Sequence, residues 1–322
     1  MLWHCSRKCH PPPPHQPPTP LKVPSHAEFR SLWRFLAGGL ATLALATAAP
    51  VEAPGTSLLP THFGIRDDEV PRDPRDFNGG EQADFPTWQV NQDLPNDVFT
   101  FARLRYESGI WMRQRSKWLI DYPDSDLNFS YRLQQLTSLQ VNPIGAIVDI
   151  DPEQMRNYPF IYMLEPGNIS LSDEQAKVIR DYLENGGFIM VDDFWGDDEW
   201  AVFADALKQI FPDQVPEELD ISHPIFHAVF DLNIKPQIPA VGIALMGRES
   251  GITYEWNKPG TEVAQYKALY DSKGRICMFI AFNTDLGDGW EEEGTDPWYF
   301  QEFSEKYAYP LGINVIFYAM TH

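Results

Sequence analysis

The segment from Ser172 to Asp193 constrains this chain more than any other, because it spells a helix, a stop, a buried strand and an acidic turn in succession. Ser170 or Ser172 offers a side-chain oxygen to the first free helical amides. Ala176, Ile179 and Leu183 then recur at three and four residues along one helix face. Gly186-Gly187 ends the helix, since glycine enters the left-handed position after a helix at little steric cost. Phe188–Val191 is short and continuously apolar, the pattern of a strand buried on both faces. Asp192-Asp193 closes the unit.

The flanking sequence repeats this alternation. Val98–Tyr106 is rich in strand formers and opens the sheet. Asp124 or Ser125 caps a helix whose Phe129, Leu133 and Leu136 share one face. Ala146–Ile150 and Phe160–Leu164 read as further strands, with Pro166-Gly167 turning the chain. Asp198–Phe211 is an amphipathic helix that turns Phe203, Leu207 and Ile210 inward. Beyond His223 the pattern changes: Val241–Met246, Ile252–Trp256 and Ile276–Phe282 read as strands without clear helices between them. Pro310 suits the first turn of a closing helix, Leu311–Met320. Strands alternating with helices across short turns predict an α/β fold with a mostly parallel sheet flanked by helices. A small β-rich, hairpin-like insertion completes it, and residues 96–322 form a single domain without internal repeats.

Before that domain the chain has another character. Residues 11–24 are Pro-rich, and Arg30 and Arg34 precede the apolar stretch 35–46 and the triplet Ala46-Thr47-Ala48. Basic flank, short apolar core and an Ala-x-Ala step predict an export signal within residues 1–48, cleaved near Ala48. The expected location is therefore periplasmic or extracellular, with no membrane span in the mature chain. The alternative is an uncleaved N-terminal anchor. Residues 49–95, rich in Pro, Asp and Gly, read as a linker or arm, with Phe85 and Trp88 able to dock it.

Charge narrows the function classes. The formal net charge is −21, and residues 1–48 hold five Lys/Arg against one Glu, so the acidity lies in the remainder. Nucleic acid is bound mainly through Lys and Arg contacts, which excludes it as an expected partner. Of Cys5, Cys9 and Cys277, only the last follows the signal, and its apolar neighbours make it a small buried hydrophobe.

Ligands in open α/β sheets sit beyond the C-terminal strand ends. That rule selects Glu165, then Asp192 and Asp193, then Asn283 and Asp285, and Trp195, His223, Asp288, Trp290 and Glu291 complete the candidate pocket. Clustered carboxylates suit a hard divalent cation such as Ca²⁺ or Mg²⁺; each Asp equally suits a helix cap or a turn. His223 before Pro224 offers a proton-transfer group or a structural cap. Arg103 and Arg105 suit an anion or an ion-paired strand face. Trp111, Trp118, Asp121 and Tyr122 form a polar-aromatic patch. No Gly-x-Ser-x-Gly or Gly-x-Cys-x-Gly turn follows a strand, and phosphate-cradling glycine loops and paired His or Cys zinc spacings are missing from the domain.

Taken together, Asp121-Tyr122-Pro123, the stretches 158–163, 182–196 and 223–226, Asp285–Glu291 and Gly312–His322 resemble the bacterial family designated domain of unknown function 4159, across about Val98 to His322. The resemblance implies a flavodoxin-like, class I glutamine amidotransferase-like fold, often on exported proteins. In active amidotransferases a cysteine occupies the turn after the strand matching Phe188–Val191. Asp192 and Asp193 stand there, so amidotransferase chemistry is not expected. The expected function is binding of a polar ligand, a carbohydrate or one bridged by a cation, in an acidic-aromatic pocket. A carboxylate- or metal-dependent hydrolase is the alternative. No cofactor is expected beyond a possible divalent cation.

Overall fold

A computed structural model describes residues 70, 74–77, 85–91, 93, 97–108 and 116–322. The export signal and most of the arm lie outside the described residues. So does Trp111.

Nine strands and eight short or long α-helices order the described chain. Strands β1 (Ala102–Arg105), β3 (Ala146–Asp149), β4 (Phe160–Leu164), β6 (Phe188–Asp192) and β9 (Ile276–Phe282) run parallel. Strands β8 (Gln265–Tyr270) and β7 (Glu217–Glu218) extend the same sheet antiparallel beyond β9. The sheet order is β3-β1-β4-β6-β9-β8-β7, so the first parallel strand has the second on one side and the third on the other. Strands β2 (Glu107–Ser108) and β5 (Ile169–Ser170) form a separate antiparallel ribbon.

The period-2 rule splits each central strand between two cores. Phe160, Tyr162 and Leu164 of β4 join one apolar cluster; Ile161 and Met163 join the other. Helix α1 (Asp124–Leu136), α6 (Leu286–Glu291) and α8 (Tyr309–Thr321) pack on the first face. The second face receives α3 (Asp173–Glu184) and α4 (Gly196–Ile210). Shorter helices are α2 (Pro152–Met155), α5 (Val241–Gly247) and α7 (Pro297–Tyr299). From α7 the chain passes through a wide-turned helical segment, Phe300–Ala308, directly into α8.

The Gly-Gly unit divides its labour. Ser172 caps α3 in a reciprocal pair with Gln175. Gly186 adopts φ 101°, which favours glycine, whereas a β-carbon on Gly187 would lie 2.3 Å from the Tyr182 ring. One glycine is needed for its backbone and the other for space.

Three expectations are corrected. Val241–Met246 is not a strand but most of α5, and Ile252–Trp256 forms no strand. Short apolar runs do not distinguish helix from strand by periodicity; here Ala244 and Gly247 are buried while Leu245 and Met246 face out. The strand paired with β9 is instead Gln265–Tyr270, so the β-rich part is an antiparallel margin of the main sheet and not an insertion. Asp198 does not begin its helix: α4 starts at Gly196, with Asp197 and Asp198 in its first turn. Finally, of the readings of the strand arginines the ion pair holds, but Arg103 is buried rather than on the surface of the sheet. Fully buried, it binds Asp126 through two nitrogens and donates to the Trp118 and Ile120 carbonyls. Arg105 pairs with Asp149.

Trp88 donates its indole N–H to the Val141 carbonyl at 2.7 Å and packs on Tyr131, so this part of the arm touches the domain.

Candidate functional site

Three parallel strands deliver their C-terminal ends to one edge, and the residues following them are acidic or amide-bearing: Glu165 after β4, Asp193 after β6 and Asn283 after β9. Asp121 joins from the loop between β1 and α1. These four are the only non-glycine residues with positive φ among the described residues, at 58° (Asp121), 46° (Glu165), 53° (Asp193) and 59° (Asn283). Such conformations cost ~1–3 kcal/mol each unless the surroundings impose them. Their hydrogen bonds show the imposition at two of them. The Tyr106 hydroxyl lies 2.7 Å from the carbonyl oxygens of both Leu164 and Glu165. Asn283 accepts from the Gly196 amide at 2.9 Å and donates to the Gly260 and Val263 carbonyls.

Two sets of carboxylates converge at this edge. Oxygens of Asp121, Asp193 and Asp285 lie within 4.8 Å of one another, and so do oxygens of Asp121, Asp288 and Glu291. Oxygens ~2.4 Å from a shared Ca²⁺ span at most about 4.8 Å, so each set fits around one hard cation. Asp192 adjoins the first set, where its charge acts on Asp193 and Asp285. Its Oδ2 accepts from the Tyr162 hydroxyl at 2.9 Å and the Gly287 amide at 3.0 Å, while its buried Oδ1 has no hydrogen-bond partner.

Burial pushes Asp192, Asp193, Asp285, Glu291 and Glu165 toward their protonated forms. Desolvation, opposed by the bonds from Tyr162 and Gly287, raises Asp192 to about 7. Asp193 and Asp285 are pushed well above the usual carboxylate range by burial, then by their acidic neighbours. Glu291 rises to about 11 through burial, the charges of Asp121, Asp288 and Glu292, and a hydrogen bond with Asp121. Glu165 rises to about 7 because burial outweighs its ion pair with Lys117. A buried group of like charges must either stay protonated or trade its protons for a cation.

The other residues selected from sequence take distinct places. Trp195 is buried and donates its indole N–H to Asp193 Oδ1 at 2.9 Å. Trp290 is fully buried in an aromatic group with Phe129 and Tyr162, at 4.4 and 5.5 Å between centroids. Neither ring forms an open platform. Asp285 caps α6 by accepting from the Asp288 amide, and Asp288 accepts from the Val241 amide where α5 begins. His223 belongs to another neighbourhood: its Nδ1 accepts from the Ile225 amide and its ring packs on Tyr318 near the end of α8. Cys277 is buried, with its thiol pushed up to about 12 by desolvation.

Asp121 and Glu165 carry more of the arrangement than their sequence surroundings suggest. Glu165 is visible as the residue after a strand, and Asp121 only as a member of the polar-aromatic patch with Trp118 and Tyr122. Lys117 gives no sequence signal at all. A cavity of about 470 Å³ lies elsewhere, before the N-terminal ends of β4 and β6, lined by Met155, Tyr158 and Tyr182. Its polar lining is Arg156, Asp181 and Asn185, so it does not compete with the carboxylate centre for a cation.

Three amides after the acidic turn, those of residues 195–197, are occupied. Trp195 N–H donates to Glu199 Oε2, Gly196 N–H to Asn283 Oδ1, and Asp197 N–H to the Pro259 carbonyl. Amides committed in this way are not free to stabilise an oxyanion, which acyl transfer requires. No helix among the described residues is long and apolar enough to cross a membrane.

A comparison with curated proteins finds no match. The family model described as a domain of unknown function, DUF4159, matches residues 100–320. That interval contains every carboxylate of the centre and every strand of the sheet, and the chain belongs to this family.

Proposed function

We propose that the domain binds a divalent cation through Asp121, Asp193 and Asp285, and through that cation an oxygen-rich polar ligand. The observation that carries this reading is the convergence of three carboxylates from separate chain segments to within 4.8 Å, beside the unpartnered Oδ1 of Asp192. Protein interiors avoid such like-charged groups unless a counter-charge accompanies them. Binding of a free carbohydrate on aromatic rings is the weaker form of the idea, since Trp195 and Trp290 are both buried.

A flavodoxin-like, class I glutamine amidotransferase-like fold is part of the same proposal. The spatial order of the five parallel strands, second-first-third-fourth-fifth, supports it. In that fold Asp193, at a positive-φ turn between β6 and α4, stands where the active relatives hold cysteine. The signal-like stretch 35–48 supports export, which would place the centre in a Ca²⁺- and Mg²⁺-containing compartment.

Thermal melting of the full chain with and without Ca²⁺, Mg²⁺ and Mn²⁺ tests the reading. A cation at about 100 times its Kd stabilises by ~2.7 kcal/mol, which raises the melting temperature measurably. Asp193→Asn should abolish the rise; no rise with any of the three cations sinks the proposal.

A second reading, a metal-dependent hydrolase, is favoured by Glu165, which rises to about 7 beside Lys117 and so exchanges protons near neutrality. Turnover of an ester or glycoside panel that depends on both cation and Glu165 separates it from binding alone.

A further inference from the structure

We infer that the centre holds two hard divalent cations, Mg²⁺, Ca²⁺ or Mn²⁺, with the Asp121 carboxylate between them. The inference rests on the single-cation reading above and extends it to a second site. The two carboxylate sets share one member, Asp121. One set reaches it from the ends of β6 and β9 through Asp193 and Asp285. The other reaches it from α6 through Asp288 and Glu291. Asp285, Asp288 and Glu291 stand three residues apart at and along that helix, a spacing that brings side chains to one face. The helix supplies a ligand to the first set from its cap and two to the second from its body.

Charge balance points the same way. Among the described residues, Asp192, Asp193, Asp285 and Glu291 form no ion pair with Lys or Arg; the nearby Lys117 is engaged by Glu165, and Lys258 by Glu199 and Glu255. One divalent cation offsets two carboxylates, whereas Asp192, Asp193, Asp285 and Glu291 are four. A second cation brings the fixed and bound charges closer to balance in a low-dielectric place where imbalance is costly.

Asp192 gives an observation independent of the acidic count. Its Oδ2 is fixed by Tyr162 and Gly287, which leaves its fully buried Oδ1 without a hydrogen-bond partner in a place closed to water. Gly287 sets how near it stands to the shared ligand: a β-carbon there would lie 2.4 Å from Asp121 Oδ2 and 3.0 Å from the Tyr162 hydroxyl. A bridging carboxylate between two cations ~3.5–4 Å apart is a known way to build such a pair.

Equilibrium dialysis of the full chain against Mn²⁺, with metal counted per chain and the bound ions examined by electron paramagnetic resonance, tests the inference. Two Mn²⁺ per chain with an exchange-coupled spectrum are expected. Glu291→Gln, on a partly exposed residue, should bind one Mn²⁺ with an uncoupled spectrum and keep the wild-type circular dichroism. Asp121→Asn should weaken both ions by at least ~10-fold, which the shared position requires. One Mn²⁺ in the wild-type chain overturns the two-cation inference and leaves the single-cation reading standing. No bound Mn²⁺ overturns both.

Discussion

The Gly287 amide donates to Asp192 Oδ2 at 3.0 Å, and the missing β-carbon of Gly287 is what lets α6 approach Asp121. Helix, strand end and loop thus meet at a residue with no side chain. Gly287→Ala should cost about 1–3 kcal/mol by overpacking. It should also weaken Mn²⁺ binding, because Asp121 must move. Urea unfolding and a Mn²⁺ titration check both effects; wild-type values in each would mean that the close approach is dispensable.

Asp192 responds to pH in a definite direction. Its folded value of about 7 lies above the ordinary 3.8, so the stability linked to its proton is present at low pH and lost as pH rises through 7. In cation-free protein, Asp192→Asn should therefore raise the melting temperature more at pH 8 than at pH 5.5. Equal changes at the two pH values would contradict the assignment.

Glu165 permits a similar experiment outside the proposed ligand sets. Burial raises it from 4.5 to about 7, so its contribution is full below about 4.5 and disappears as pH passes 7. The associated loss is at most about 3.5 kcal/mol, at ~1.4 kcal/mol per unit. Chemical unfolding at pH 5 and pH 8 should show a smaller decline for Glu165→Gln than for wild type.

Arg103 and Asp126 offer a prediction about the scaffold. Arg103→Met leaves Asp126 buried without its bidentate partner and should cost ~3–5 kcal/mol. Adding Asp126→Leu should restore much of that loss. Guanidinium unfolding of the two variants decides it, and a double variant no better than the single would count against a charge-burial origin.

The sequence discloses those parts whose signal is local. The α3–Gly-Gly–β6 unit is legible because capping, periodicity and the stop all fall within one short segment. β4 and the closing helix are legible for the same reason. Val241–Gly247 misleads because a short apolar run fits either period, and only burial of Ala244 and Gly247 decides it. Arg103 misleads because strand position does not reveal that the opposite wall supplies Asp126 and two carbonyls. At the centre, Asp192, Asp193, Asp285, Asp288 and Glu291 stand out as acids after strands. Asp121 shows only as part of a polar-aromatic patch, since its place beside the other acids comes from a turn that folds back onto α6. The two tryptophans illustrate the opposite error: an aromatic beside an acid looks like a wall of a pocket, yet both rings pack inside.

The two-residue strand β7 has a consequence for the molecule's behaviour in concentrated solution. Both of its residues, Glu217 and Glu218, are exposed, and they form the outer margin of the seven-stranded sheet. Lys235 and Lys267 partner Glu218. A strand from another copy, pairing there, would have to bring its own backbone against this charged rim over only two residues of ladder. Short, charged margins of this kind discourage sheet-to-sheet stacking. The protein thus carries its own safeguard against fibrillar self-association on the side of the sheet away from β3.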